Sequence, residues 1–193
     1  LVQQLVYLEN HGYTTISLDD LAKYIELGTT TPVMKPVVLT FDDGWRNQYR
    51  YAFPLLKEYR MQATFYVYTN PVDNEAEHFL TWEQLREMGA AGMTIGSHTL
   101  SHPYLKDSSP SDVRKEIFES KKILESKLNK PVLHFAQPFG YTSPEIESII
   151  KEAGLKTARG THRGVYHSQG DLFHLQGYFV SDNFDDFAQI LNR

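Results

Sequence analysis

The chain has 193 residues, a length that suits one domain with a full-sized hydrophobic core. Its net charge of −5 argues against nucleic acid as a partner, and its lack of cysteine excludes disulfides, thiolate-held zinc and thiol catalysis. No run of about 18 apolar residues occurs, so the sequence offers no membrane-spanning segment.

The chain starts at Leu1, not Met, which reads as a trimmed or processed product. Apolar residues at Leu1, Val2, Leu5, Val6 and Leu8 predict a first helix, ended by Gly12. Ser17 precedes a second short helix that runs to about Leu27-Gly28. A connector follows, and residues 1–35 read as an N-terminal helical extension of a single domain spanning 1–193. Val37 to Phe41 is short, apolar and β-branched, which predicts a strand buried on both faces. It ends at Asp42-Asp43-Gly44, and a helix follows over about 47–59.

Ala63 to Tyr68 reads as the next strand. Thr81 and Gln84 have capping-box spacing for a helix ending near Met88-Gly89. A strand from Met93 to Gly96 then leads into His98. Ser109-Pro110 opens a long helix to about Leu128. Its charged residues between Arg114 and Lys130 read as a solvated face. Val132 to Ala136 predicts another strand, leading into Gln137-Pro138-Phe139-Gly140. Ser143-Pro144 opens a helix closed by Gly154. Short strands near 156–158 and 178–180 and a last helical stripe (Phe184, Phe187, Ile190, Leu191) complete the pattern. Strand, polar cluster and helix alternate, which argues for a parallel sheet with helices outside it. The polar clusters fall where strands end, and catalytic groups of α/β barrels sit there.

Three of those clusters can carry chemistry. Two adjacent carboxylates, Asp42 and Asp43, can divide the tasks of binding a cation and accepting a proton. Alone they also fit a plain Asp-Gly turn. His98 and His102, four residues apart, can present two imidazoles to one metal ion, or can be two loop histidines. Pro138 and Gly140 fix a rigid turn able to aim a backbone N–H at a developing oxyanion, or simply to link a strand to a helix. Their joint placement after three strands favours the chemical reading. One carboxylate and two imidazoles leave open positions on a metal, as catalytic zinc sites do.

At these residues the sequence resembles the polysaccharide deacetylase family, the carbohydrate esterases with a NodB-like domain. Thr40-Phe41-Asp42-Asp43-Gly44 is similar to its first motif, His98-Thr99-Leu100-Ser101-His102-Pro103 to its second, and Phe135 to Gly140 to a variant of its third. The variant is similar to that of a branch acting on poly-N-acetylglucosamine. The resemblance implies an α/β fold, a distorted (β/α) barrel with fewer than eight complete units. It implies Asp42 as general base, Asp43, His98 and His102 as ligands of one divalent metal (Zn²⁺, with Co²⁺, Ni²⁺ or Mn²⁺ as alternatives), and the Phe139 N–H as oxyanion donor. Trp45 and Pro138 are expected to line the sugar site.

Three features depart from the family pattern. Its usual Asp-Trp fourth motif is not recognisable. Ala136, with Gln137 beside it, stands where the third motif carries an Arg that orients the base. The late Leu-x-His that supplies a general acid is not found at its place; His162, His167 and His174 lie in that region of the chain. The implied activity is hydrolysis of N-acetyl groups on a polysaccharide such as peptidoglycan, poly-N-acetylglucosamine or chitin, outside the cytoplasm or on the cell envelope. O-acetyl xylan esterase action and a catalytically weak glycan-binding barrel are the alternatives.

Overall fold

The computed structural model describes residues 1–192. Helix α1 (Val2–Asn10) turns its Leu5 and Leu8 into the core. Helix α2 (Leu18–Leu27) starts at a full capping box between Ser17 and Asp20 and stops at Gly28, which takes the left-handed conformation that suits a residue without Cβ. Strand β1 (Thr14–Thr15) pairs in parallel with β2 (Pro36–Val37) in a small sheet of their own.

The main sheet is five-stranded and wholly parallel. Its strands are β3 (Thr40–Phe41), β4 (Thr64–Val67), β5 (Thr94–Ser97), β6 (His134–Ala136) and β7 (Thr157–Arg159), and they lie side by side in chain order. Helices connect them: α3 (Phe53–Glu58) after β3, α4 (Thr69–Asp73) and α5 (Trp82–Ala90) after β4, α6 (Pro110–Leu128) after β5, and α7 (Pro144–Glu152) after β6. Neighbours in sequence are neighbours in the sheet, which is the winding of a β/α barrel left incomplete. The caps read from the sequence form here. Thr81 and Gln84 close the capping box of α5, and Ser109 and Ser143 cap α6 and α7, each followed by Pro.

The core has two faces. The larger outer cluster joins Phe53, Leu56, Phe65, Val67, Leu85 and Met88 with Leu5 and Leu8 of α1. A second cluster places Leu18 and Ile25 of α2 against Tyr66, Ala136 and Leu175. Helix α8 (Phe184–Leu191) packs on α1, with Tyr7 edge-on to Phe184 and Phe187, and the Tyr13 hydroxyl donating to the Leu191 carbonyl at 2.7 Å.

Two expectations from sequence need correction. The apolar run 37–41 is not one strand buried on both faces. It divides between β2 and β3, and its residues are only partly buried. β3 is an edge strand, so one flank has no sheet neighbour to cover it. The segment 178–180 is not a strand, and Phe179 is 90% exposed. The chain instead meets the sheet at Leu175, which is buried and bridges in parallel to Arg159.

Candidate active site

The carboxyl ends of the strands bring the three clusters together. Asp42 and Asp43 follow β3, His98 follows β5, and residues 137–140 follow β6. Asp43, His98 and His102 form a group whose ligand atoms all lie within 4.8 Å of one another. The Asp43 Oδ1 stands 3.5 Å from His98 Nε2 and 3.4 Å from His102 Nε2. Four donors held tetrahedrally at the ~2.0–2.1 Å of Zn–N and Zn–O bonds stand roughly 3.3–3.4 Å apart. The spacing and the donor types therefore fit a divalent ion of the zinc kind. His98 is almost fully buried, while His102 and Asp43 keep part of their side chains open to solvent, which leaves a face for a substrate.

The protonation states suit that task. The imidazole Nδ1 of His98 lies 2.7 Å from the Ala136 carbonyl. A carbonyl only accepts, so Nδ1 carries a proton, and Nε2 is the nitrogen turned toward Asp43. Ser97 and Thr99 do not set the tautomer; they hold backbone instead. The Ser97 Oγ accepts from Thr99 N–H at 3.3 Å, and the Thr99 Oγ1 accepts from His102 N–H at 2.9 Å. The His98 imidazole holds the Asp43 carboxyl below the usual carboxylate range; burial works against this, and the Trp45 N–H works with it. Burial pushes the His102 imidazole down, reinforced by His98. Asp43 is thus anionic and His102 neutral near pH 7, as metal ligands need to be.

Trp45 does more than line a cleft. Its Nε1–H donates to Asp43 Oδ2 at 3.1 Å, leaving Oδ1 to face the histidines. Its ring stacks on Phe79 at 4.4 Å and is 40% exposed. Pro138 is buried, whereas Phe139 is 63% exposed and sets its ring edge-on to His102 at 4.9 Å. Asp43, Thr99, His102 and Phe139 all have positive φ, between 57° and 74°. Each such non-glycine residue costs of order 1–3 kcal/mol, so four around one site mark a backbone held there by its surroundings.

Asp42 has a guanidinium partner although Ala136 stands at the position of the motif Arg. Arg159, at the end of β7, pairs with Asp42, one guanidinium nitrogen reaching both carboxylate oxygens. Arg159 is the direct register partner of Ala136 in the β6–β7 ladder. The cation stands one strand to the side of its expected position. Its guanidinium lies over the Tyr66 ring at 5.3 Å, and Tyr66 is fully buried. Gly96, beside Tyr66 in the β4–β5 ladder, makes this possible: a Cβ there would stand 2.6 Å from the Tyr66 ring. Burial pushes the Tyr66 phenol up, so it stays neutral beneath the cation.

The reading of the charged residues between Arg114 and Lys130 as a solvated face holds for Arg114, Lys115, Lys122, Lys127 and Lys130, which are exposed, but not for Glu116. Glu116 accepts the N–H groups of Leu100 and Ser101 at 2.9 and 2.8 Å. Of the three late histidines, His167 accepts the Gln176 N–H at 3.0 Å, and His174 pairs with Glu147 on α7 at 2.6 Å. His162 is exposed. None of the three belongs to the Asp43 group. One sequence signal could have found Arg159: it is a polar residue directly after a predicted strand, as Asp42 and His98 nearly are.

A family model described as polysaccharide deacetylase matches residues 29–158. YxkH of Bacillus subtilis (strain 168), described by the same family term, is 29% identical over 175 residues, covering 91% of this chain and 62% of its own length. The poly-beta-1,6-N-acetyl-D-glucosamine N-deacetylase of Staphylococcus aureus (strain MRSA252) is 25% identical over 202 residues, covering 98% of this chain and 68% of its own. The Streptococcus pyogenes deacetylase PplD, solved in complex with acetate, superposes with a TM-score of 0.93 at 29% identity, over 98% of this chain and 84% of that one. The chain thus spans only 62% of the length of YxkH.

Proposed function

The chain belongs to the polysaccharide deacetylase family, and from that premise we propose that it is a metal-dependent hydrolase removing N-acetyl groups from a polysaccharide containing N-acetylglucosamine. The observation that carries the reading is the convergence of Asp43 Oδ1 and two imidazole Nε2 atoms at metal-ligand spacing, with the second carboxylate, Asp42, next to it in the chain. A divalent ion bound by Asp43, His98 and His102 would polarise the acetamide carbonyl and make water more acidic.

The chain's own residues supply the rest. Asp42 takes a proton from the water that attacks the acetyl carbon. Arg159 fixes the direction of that carboxylate by touching both its oxygens. The Phe139 N–H donates to the oxyanion as the carbon becomes tetrahedral, held in place by the left-handed turn of residue 139. The C–N bond then breaks, Asp42 returns its proton to the leaving nitrogen, and acetate and a free amine result. With the late histidines engaged elsewhere or exposed, Asp42 acts as base and then as acid.

The exposed rings of Trp45, bonded to Asp43, and of Phe139, edge-on to His102, suit the apolar faces of sugar rings. Poly-β-1,6-N-acetylglucosamine is the first substrate to test, because a relative covering nearly the whole chain is named for it. Peptidoglycan and chitin are the next. Such glycans lie outside the cytoplasm, so the protein is assigned to the cell exterior or envelope.

The test is acetate release from N-acetylglucosamine oligomers, with and without Zn²⁺ or Co²⁺, for wild type and Asp42→Asn. Metal-dependent release that falls about 10²- to 10⁴-fold in the variant is expected for loss of a positioned base. Release from acetylated xylan but not from the amide substrates would replace the reading with an O-acetyl esterase. A protein that binds metal and glycan but releases acetate from neither would be a binding barrel.

A further inference from the structure

We propose that Glu116 is a positioning residue for the metal ligands: with Ser120, one turn further along α6, it clamps the segment 97–102 so that both imidazoles keep their spacing to Asp43. The inference rests on the reading of Asp43, His98 and His102 as a metal site.

Both oxygens of Glu116 are engaged with the segment. Oε2 accepts the N–H groups of Leu100 and Ser101, and Oε1 accepts the Ser101 hydroxyl at 2.6 Å. These bonds end immediately before His102. The other end is held by Ser120, whose hydroxyl meets that of Ser97 at 2.7 Å, immediately before His98. Glu116 and Ser120 are four residues apart on one helix and so share a face. One face of α6 therefore grips the chain on the upstream side of each histidine.

The carbonyl side of the same segment is held by a different helix. Thr69 N–H at the start of α4 donates to the Thr99 carbonyl at 3.3 Å, and Asn70 N–H donates to the Leu100 carbonyl at 2.9 Å. The loop's donors face α6 and its acceptors face α4. It needs such support, because Thr99 and His102 both adopt left-handed backbone conformations that side chains disfavour. A carboxylate bonds to N–H groups about twice as strongly as a neutral acceptor does. It is the natural partner for two consecutive amides that no strand or helix satisfies.

A purely structural loop could drift by a few tenths of an ångström without consequence. These two histidines cannot, because the 3.4–3.5 Å spacing from their Nε2 atoms to Asp43 Oδ1 is what matches the ion. Outer partners that orient ligands in this way typically set affinity by about 10- to 100-fold.

The experiment is cobalt and zinc binding to the full chain, by competition with a chromophoric chelator, together with the visible absorption of the Co²⁺ form. Variants are Glu116→Ala, Glu116→Gln and, as a control whose side chain is about half exposed on α6, Glu119→Ala. Glu116→Ala is expected to weaken binding by about 10- to 100-fold and to change the Co²⁺ spectrum. Glu116→Gln, which still accepts but without charge, should fall between Ala and wild type, and Glu119→Ala should match wild type. If Glu116→Ala does not fold, Glu116→Gln decides the matter. Wild-type affinity and an unaltered spectrum in a folded Glu116→Ala, or in Glu116→Gln where that variant decides, overturn the clamp. A wild type that binds neither ion overturns the metal reading itself, and with it the clamp.

Discussion

Arg159→Met removes the guanidinium from Asp42 while keeping most of the side chain's length and apolar bulk. Two unit charges about 4 Å apart attract by about 4 kcal/mol at an effective dielectric of ~20, before desolvation is subtracted. The Arg159 and Asp42 side chains are 24% and 38% exposed, so water screens the pair. Its net contribution to stability is then about 1–2 kcal/mol, between the values of surface pairs and buried pairs. The catalytic cost is larger. Without Arg159 the Asp42 carboxylate is free to rotate away from the water, and a misplacement of about 1 Å costs on the order of 10²-fold in rate, about 2.7 kcal/mol. The assay is steady-state acetate release beside metal binding. The expected result is a fall in kcat of about 10²-fold with metal affinity nearly unchanged, because Arg159 bonds to none of the three ligands. Arg159→Lys should recover only part of the rate, since a point charge cannot hold both oxygens in one plane. A kcat equal to wild type in Arg159→Met would refute the claim that this pair orients the base.

Trp45→Phe keeps an aromatic ring to stack on Phe79 but loses the N–H donated to Asp43. Calorimetry should find metal affinity lower by about 10-fold. His134 is buried, with its Nδ1 2.9 Å from Thr157 Oγ1, and burial lowers its pKa; Asp19 opposes this and Lys156 adds to it. Its contribution to stability is therefore complete above about pH 6.5 and is lost as pH falls through the lower, folded value. Melting temperature should drop as pH is lowered from neutral, and less steeply in His134→Gln. Gly140→Ala forces a side chain onto φ +74° and sets its Cβ 2.3 Å from Thr161 Oγ1. Strain and overpacking together should cost about 2–4 kcal/mol, a fall in melting temperature of roughly 4–16 °C by calorimetry.

Much of this architecture was legible because local rules and tertiary structure agree. Thr81 with Gln84 marks a helix start by its spacing, and that cap forms. Ser17 is legible as preceding a helix, and the structure adds Asp20 as its capping partner. Asp43, His98 and His102 could be proposed together because each follows a strand, and parallel strands deliver their ends to one place. The failures have one physical source. Val37 to Phe41 looks like a central strand, yet which strand a residue pairs with depends on sheet order, and here the run divides between two sheets. Glu116 has the surroundings of a solvated helix face, and only the fold brings amides 15 and 16 residues away onto its carboxylate.

Arg159 is the most instructive of these cases. The family's motif places a cation beside the base through one position, and this chain has Ala136 there. The requirement, though, is for a guanidinium at a point in space, and not for an Arg at a place in the sequence. Adjacent strands stand about 4.8 Å apart, less than the reach of an arginine side chain. Arg159, paired in register with Ala136, can therefore serve the same carboxylate from the next strand. The exchange is compatible with the packing around it, because Ala136 is buried against Tyr66 and Arg159 lies over the same ring. A motif scan sees a missing residue, whereas the ladder register accounts for the charge. The absence of the motif Arg is thus no argument for an inactive barrel.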